Sequence, residues 1–429
     1  MRTIVRAFAA LSRGVLHRVS RAFGRPGLPR RALLAAATST CLLGISPTWA
    51  AWSDESWVAT WAAGPHAGND FGTAITQFGA QTTLRQVVRV SSGGSAVRVR
   101  FSNEFGTQPL VIGSAHVGLR SSGAGIVPAS DRVLTFGGAN SVTIPPGAPA
   151  LSDPVALTVP AQADLAVSLY LPNATQGATR HFIALQTNYL SQFGDYTGMP
   201  VPPVMSTVQA WFFLSAVNVL AGTGASTVAV LGDSITDGFG STADTNRRWT
   251  NRLAERLQAA GMPVAVANAG ISANRVLRNV TAPSATARFD GDVLAQSGLK
   301  YVIVLEGIND IGLGALASAE PVTASQLIAG YRQLIARAHQ KGVRIFGATL
   351  PPFEGAGYYS AEGEGKRQAV NNWIRTGGEY DGVIDFDQAI RDPNRPSRMR
   401  TQYDSGDRLH PNDAGYRAMG DAISLQLFR

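Results

Sequence analysis

Five residues in the C-terminal half, Ser234, Gly270, Asn309, Asp407 and His410, have the types and spacing for acyl transfer. Ser234 lies in Gly232-Asp233-Ser234-Ile235-Thr236 and carries a hydroxyl that becomes a good nucleophile only when a base takes its proton. His410 is one of five histidines beyond residue 50, and the only one with an acid three residues before it, in Asp407-Arg408-Leu409-His410. That spacing lets both side chains lie on the same side of one turn. There the Asp407 carboxylate can fix the imidazole tautomer and stabilise the imidazolium. A tetrahedral intermediate needs donors aimed at its oxyanion. The N–H groups of Ser234 and Gly270 and the side-chain amide of Asn309 can supply three. Gly270 suits the role because the absence of a Cβ permits close backbone approach. Asp233, beside the nucleophile, is expected to support it. The chemistry expected is acyl transfer through a covalent Ser234 acyl-enzyme, with no metal or organic cofactor.

Each residue also has an ordinary explanation. Ser234 could cap a helix, Asn309 could be a turn residue, and Asp310 a second cap. Asp404 and Asp413 are rival partners for His410, though spacing favours Asp407. Asp385, Asp387, Glu362 and Glu364 lack a metal-ligand spacing such as His-Glu-x-x-His, so caps and solvated surface are expected of them. No function is assigned to His66, His116, His181 or His339. Trp57 and Trp61, with Trp52 nearby, could stack on a sugar ring, but anchoring the first strand in a core is the expectation. One hydrolase architecture is excluded: the nucleophile elbow Gly-x-Ser-x-Gly requires glycine where this chain has Thr236.

These groups need a scaffold, and 429 residues are more than one core usually requires. From Trp52 to Ala225 the chain reads as β-structure. Val97-Arg98-Val99-Arg100-Phe101 alternates as a half-buried strand does, and is expected to pair with Leu84 to Val90 across the turn Ser92-Gly93-Gly94-Ser95. Val155 to Val159 and Leu165 to Leu171 are further strands. A jelly-roll-like β-sandwich over 51–225 follows.

After Gly222-Thr223-Gly224 the rhythm changes. Thr227 to Leu231, Val264 to Ala267, Tyr301 to Leu305, Val343 to Ala348 and Gly382 to Phe386 are short apolar runs typical of buried parallel strands. Between them lie helix-period segments such as Leu327-Ile328-x-x-Tyr331-x-x-Leu334-Ile335, closed by Gly342. The pattern predicts an α/β domain over 226–429 with a five-stranded parallel sheet covered by helices on both faces. In such a sheet ligands bind beyond the carboxyl ends of the strands, where Ser234, Gly270 and Asn309 fall.

The four blocks Gly232-Asp233-Ser234, Asn268-Ala269-Gly270-Ile271, Gly307-Ile308-Asn309-Asp310 and Asp407-x-x-His410 resemble, in order, those of the SGNH (also called GDSL) hydrolase superfamily. The resemblance covers roughly residues 226 to 429. It implies a flavodoxin-like α/β/α sandwich and carboxylic ester hydrolysis. The whole chain also resembles bacterial two-domain members with an N-terminal β-sandwich. The superfamily includes lipases, lysophospholipases, arylesterases and carbohydrate O-acetylesterases, so an acylated polysaccharide and a lipid are both open as substrates. Pro351-Pro352-Phe353 to Tyr358-Tyr359 could line the acyl pocket. The competing reading is a non-catalytic carbohydrate- or surface-binding protein with a vestigial hydrolase domain.

Residues 1–50 hold eight arginines and no lysine or acid, followed by the short apolar run Ala32 to Ile45 and the small residues Thr48 and Ala50. This reads as a secretory signal cut after Ala50, and Arg30-Arg31 before the apolar run resembles a twin-arginine export signal. An exported protein, periplasmic or extracellular in a bacterium, is expected. The leader carries the whole formal charge of +8, so the remainder is formally neutral and nucleic acid is not an expected partner. The single cysteine, Cys41, also lies in the leader. The apolar run is too short to span a bilayer, and no transmembrane segment is expected in the mature chain.

Overall fold

The computed structural model describes residues 57–67, 77–280, 282–316 and 321–429. The leader, Cys41 and Trp52 lie outside the described residues.

The C-terminal half holds five parallel strands: β1 (Ser226–Gly232), β2 (Val264–Gly270), β3 (Leu299–Leu305), β4 (Arg344–Ala348) and β5 (Gly382–Ile384). Their order across the sheet is β2-β1-β3-β4-β5, the flavodoxin-like winding. β1 is wholly buried from end to end, which is why Val228 to Leu231 run as unbroken apolar residues rather than alternating. The sheet ends earlier than the apolar run at β5, because Asp385 accepts from Gln388 N and starts the short helix Phe386–Ile390. The helix Ala324–Gln340 opens with a full capping box between Thr323 and Gln326. Leu327, Tyr331, Leu334 and Ile335 form its buried face. Such a cap contributes about 1 kcal/mol, and the buried stripe more.

The N-terminal half has two antiparallel sheets around one apolar core. One contains Trp57–Ala62, Leu214–Leu220, Gly94–Ser102 and Val155–Val159, with Pro149–Leu151 on Gly94–Ser102. The other contains Ser206–Val208, Asn188–Gln192, Thr82–Arg89, Asp164–Leu171, Ser114–Leu119 and Arg132–Val133. The chain crosses between sheets at most connections. One expected pairing is therefore wrong: Thr82–Arg89 and Gly94–Ser102 do not form a hairpin. Thr82–Arg89 pairs with Asp164–Leu171 and Asn188–Gln192, whereas Gly94–Ser102 pairs with Leu214–Leu220 and Val155–Val159. The Ser92–Ser95 segment arches from one sheet to the other. Trp57 and Trp61 are buried in this half, Trp61 edge-on to Trp211 at 4.9 Å between ring centres, so they anchor the core.

β2 is an edge strand of the parallel sheet, and the β-rich half covers it. Ser91 Oγ accepts from Val266 N at 2.8 Å and lies 3.0 Å from Val266 O, standing in for a neighbouring strand. Ala59 N donates to Ser297 O and to Thr227 Oγ1 at the start of β1. Ala59, Ala62 and Ala216 pack into the core of the α/β half, while Ala265 packs into that of the β-rich half. Small alanines at these positions let the layers approach closely. No helix among the described residues is long and apolar enough to cross a membrane.

Candidate active site

Three strand ends and one late loop converge at the carboxyl edge of the sheet. β1 ends at Gly232; Asp233 then caps the single-turn helix Ser234–Asp237 by accepting from Ile235 N at 2.9 Å. This places Ser234 at the first helical position, with its hydroxyl aimed into the cleft. β3 gives way to the helix Ile308–Leu316 at Gly307, whose φ of +123° is open only to glycine and where a Cβ would lie 2.4 Å from Tyr331 Oη. Asn309 follows in the first turn.

Ser234 Oγ lies 2.8 Å from His410 Nε2, and His410 Nδ1 lies 2.5 Å from Asp407 Oδ2. Asp407 Oδ1 also accepts from the backbone N of His410 at 2.8 Å and of Leu409 at 2.9 Å. The acid thus holds both the ring and the backbone of its own loop. Partial burial works against the charged carboxylate, but these bonds and the charge of His410 outweigh it and hold Asp407 well below the usual carboxylate range. The rival acids are engaged elsewhere. Asp404 pairs with Arg408 and accepts from Gly406 N at 2.8 Å, and Asp413 accepts from Thr242 N at 2.8 Å.

The expected oxyanion donors divide. The Ser234 N–H has no partner among the described residues, and Ser234 lines the cleft. Asn309 Nδ2 donates to Asn274 O at 3.0 Å, while its Oδ1 accepts from Tyr358 Oη at 3.2 Å. Those two bonds fix the amide and leave its second hydrogen for the cleft. Gly270 does not join them: its N–H donates to Asn268 Oδ1 at 2.8 Å. Its missing Cβ serves packing instead, since one would stand 2.6 Å from Asp237 N in the Ser234 turn. Among the described residues the N–H of Ala273, three residues further on with a φ of +63°, has no partner, and Ala273 lines the cleft. A left-handed alanine is uncommon, and nothing in its residue type announces it.

The cleft holding Ser234 and His410 has a volume of about 310 Å3. Its walls are Phe182, Ile183, Phe239, Leu313, Tyr358 and Leu409. Phe239 also packs on the His410 ring, 4.5 Å between centres. Tyr358 comes from the loop expected to line the pocket. Phe182 and Ile183 come from the β-rich half, so that half forms part of the wall. Beside Ser234, burial pushes Asp233 up to about 7 and Glu306 well above the usual range, each aggravated by a neighbouring acid.

The remaining singled-out residues lie elsewhere. Asp385 and Asp387 bind Arg375, Glu364 and Asp387 bind Arg367, and Glu362 binds Lys366. His116 pairs with Asp131 and His339 with Asp381.

A hydroxyl–imidazole–carboxylate line at the carboxyl edge of a 2-1-3-4-5 parallel sheet has the arrangement that acyl transfer to a serine requires. Residues 230–418 match the GDSL-like Lipase/Acylhydrolase family, and this segment of the chain belongs to it. It is an ester hydrolase domain of the SGNH type. Comparison with the curated proteins found no match. Among solved structures, the chain is similar to an aryl esterase of M. smegmatis, at 20% identity over 48% of this chain and 99% of that one, TM-score 0.38. It is also similar to an acetyl xylan esterase from Geobacillus stearothermophilus (23% identity, 47% of this chain and 93% of that one, TM-score 0.37). A carbohydrate acetylesterase from Sinorhizobium meliloti is a third (17% identity, 46% and 96%, TM-score 0.37).

Proposed function

We propose that the protein hydrolyses carboxylic esters with Ser234 as nucleophile, His410 as general base and acid, and Asp407 as the group that orients and charges the imidazole. The observation that carries this reading is the unbroken line Ser234 Oγ–His410 Nε2 at 2.8 Å and His410 Nδ1–Asp407 Oδ2 at 2.5 Å. Ser234 Oγ adds to the carbonyl carbon as His410 takes its proton. The oxyanion is met by Ser234 N–H, Ala273 N–H and the Asn309 amide. Collapse expels the alcohol, which receives the proton from His410. A water activated by His410 then releases the acid and restores Ser234.

The apolar walls support an ester whose acyl or alcohol part is apolar and larger than acetyl. A sugar ring would present hydroxyls that Phe182, Ile183, Leu313 and Leu409 cannot satisfy. We further propose that 226–429 is the catalytic domain, that 51–225 is an accessory domain walling its cleft, and that residues 1–50 direct export. Hydrolysis of p-nitrophenyl esters from acetate to palmitate, by the protein and its Ser234→Ala variant, tests the reading. Turnover should depend on Ser234, falling on the order of 10^4-fold or more in the variant, and should peak beyond acetate. Full activity in Ser234→Ala would remove the mechanism. An acetate optimum would remove the apolar-substrate assignment.

A further inference from the structure

A second polar line, buried and separate from the first, joins the β-rich half to the active site. His181 lies in the short strand Arg180–His181, paired with Trp211–Phe212. Its Nδ1 is 3.0 Å from Gly64 O and its Nε2 is 2.9 Å from Asp237 Oδ1. Asp237 ends the nucleophile's helical turn, and its other oxygen accepts from Ser272 N at 3.1 Å and Ser272 Oγ at 2.7 Å. Ser272 immediately precedes Ala273. His181, Asp237 and Ser272 are all buried.

The chemistry of the partners fixes the state of the ring. A carbonyl oxygen can only accept, so Nδ1 must donate to Gly64. Asp237 Oδ2 takes two donors from Ser272, as a carboxylate does, so Nε2 donates to Oδ1. A ring donating from both nitrogens is an imidazolium. Burial opposes that charge, but the charge and hydrogen bond of Asp237 and the bond to Gly64 raise the His181 pKa in spite of it. The other charged or titratable neighbours are Arg180, Arg248 and His66. Arg248 donates to Asp237 O and Ala184 O, tying the same two segments again. His66 is 6.1 Å away between ring centres; it bonds Ala67 O through Nδ1 and accepts from Phe182 N at Nε2, so it is neutral. Burial and the charge of His181 push His66 down to about 3.

We propose that His181, from the β-rich half, is a positioning residue for the oxyanion site: through Asp237 it fixes Ser272 and so holds the Ala273 N–H at the cleft. The proposal rests on the Ser234 mechanism above. Breaking the line should loosen a donor that matters most in the transition state, so kcat should fall more than KM changes.

The test compares His181→Gln, Ser272→Ala and the double variant for kcat and KM on a p-nitrophenyl ester, with thermal melting to confirm folding. The expected result is a fall of about 10- to 100-fold in kcat for His181→Gln, with KM within about threefold. The double variant should lose little more than His181→Gln alone, because both changes break one chain. A folded His181→Gln protein with wild-type kcat, or losses that simply multiply, would overturn the proposal. Should His181→Gln not fold, two further measurements decide: 15N resonances of the His181 ring and the kcat of Ser272→Ala. Protonation of both ring nitrogens at pH 7, with lowered kcat in Ser272→Ala, supports the proposal; a neutral ring or unchanged kcat overturns it. Failure of the Ser234 mechanism would show separately, as activity that survives Ser234→Ala.

Discussion

Asp233 is pulled two ways. Its oxygen caps the nucleophile's helix, yet its carboxyl sits buried beside Glu306 and Asp310, and burial pushes it up to about 7 from an ordinary 3.8. The folded acid holds its proton where the unfolded one has already lost it. Stability therefore falls as pH rises between about 4 and about 7, then levels off. Asn at this position keeps an oxygen for the Ile235 N–H and removes the charge. The melting temperature of Asp233→Asn relative to wild type should climb from pH 4 to pH 8 by at least about 2 °C. A difference that does not vary with pH would show that the charge is not what costs stability. Residue chemistry was well announced by the sequence where a side chain does the work: Ser234, His410 and Asp407, singled out by their motif blocks, stand within hydrogen-bonding reach of one another in the fold. It was poorly announced where the backbone does the work. Gly270 attracted the oxyanion role because glycine suits close approach, but the amide left open is that of Ala273. Its left-handed φ follows from how the loop after β2 turns over the nucleophile helix, with Ser272 held by Asp237.

At the scale of elements, Asn309 works because two others hold it. The loop after β2 supplies Asn274 O, and the loop after β4 supplies Tyr358 Oη. Asn309→Ala removes a donor and should lower kcat about 10^2- to 10^3-fold. Tyr358→Phe leaves the donor but frees the amide to rotate, so a smaller loss, roughly tenfold, is expected, with KM little changed. Steady-state kinetics on one ester separates the cases; equal losses from both variants would mean that Tyr358 does more than orient the amide. The five parallel strands were legible because strands buried on both faces read as unbroken apolar runs. The arch at Ser92–Ser95 was not legible. Glycine and serine mark a reversal equally well whether the flanking strands pair or pass into facing sheets. Long-range partners such as Leu214–Leu220 decide which, and local sequence does not carry them.

Taken as one molecule, the β-rich half is built into the site. It covers the exposed edge at β2, contributes Phe182 and Ile183 to the cleft, and sends His181 to the nucleophile turn. No sequence motif advertised this, because each contact joins residues more than fifty positions apart and uses side chains that are common in any core. It makes the apolar cleft a joint product of two architectures rather than a property of the hydrolase fold alone. All of it converges on the Ser234 hydroxyl, the proposed nucleophile, and a fluorophosphonate reports on that directly, since attack by an activated serine forms an O–P bond and expels fluoride. The intact mass of the active protein after labelling should rise by one phosphonyl group, carried on the peptide containing Ser234, with hydrolysis lost in proportion. Activity that persists in fully labelled protein, or a label borne by another residue while activity is lost, would contradict Ser234 as the nucleophile.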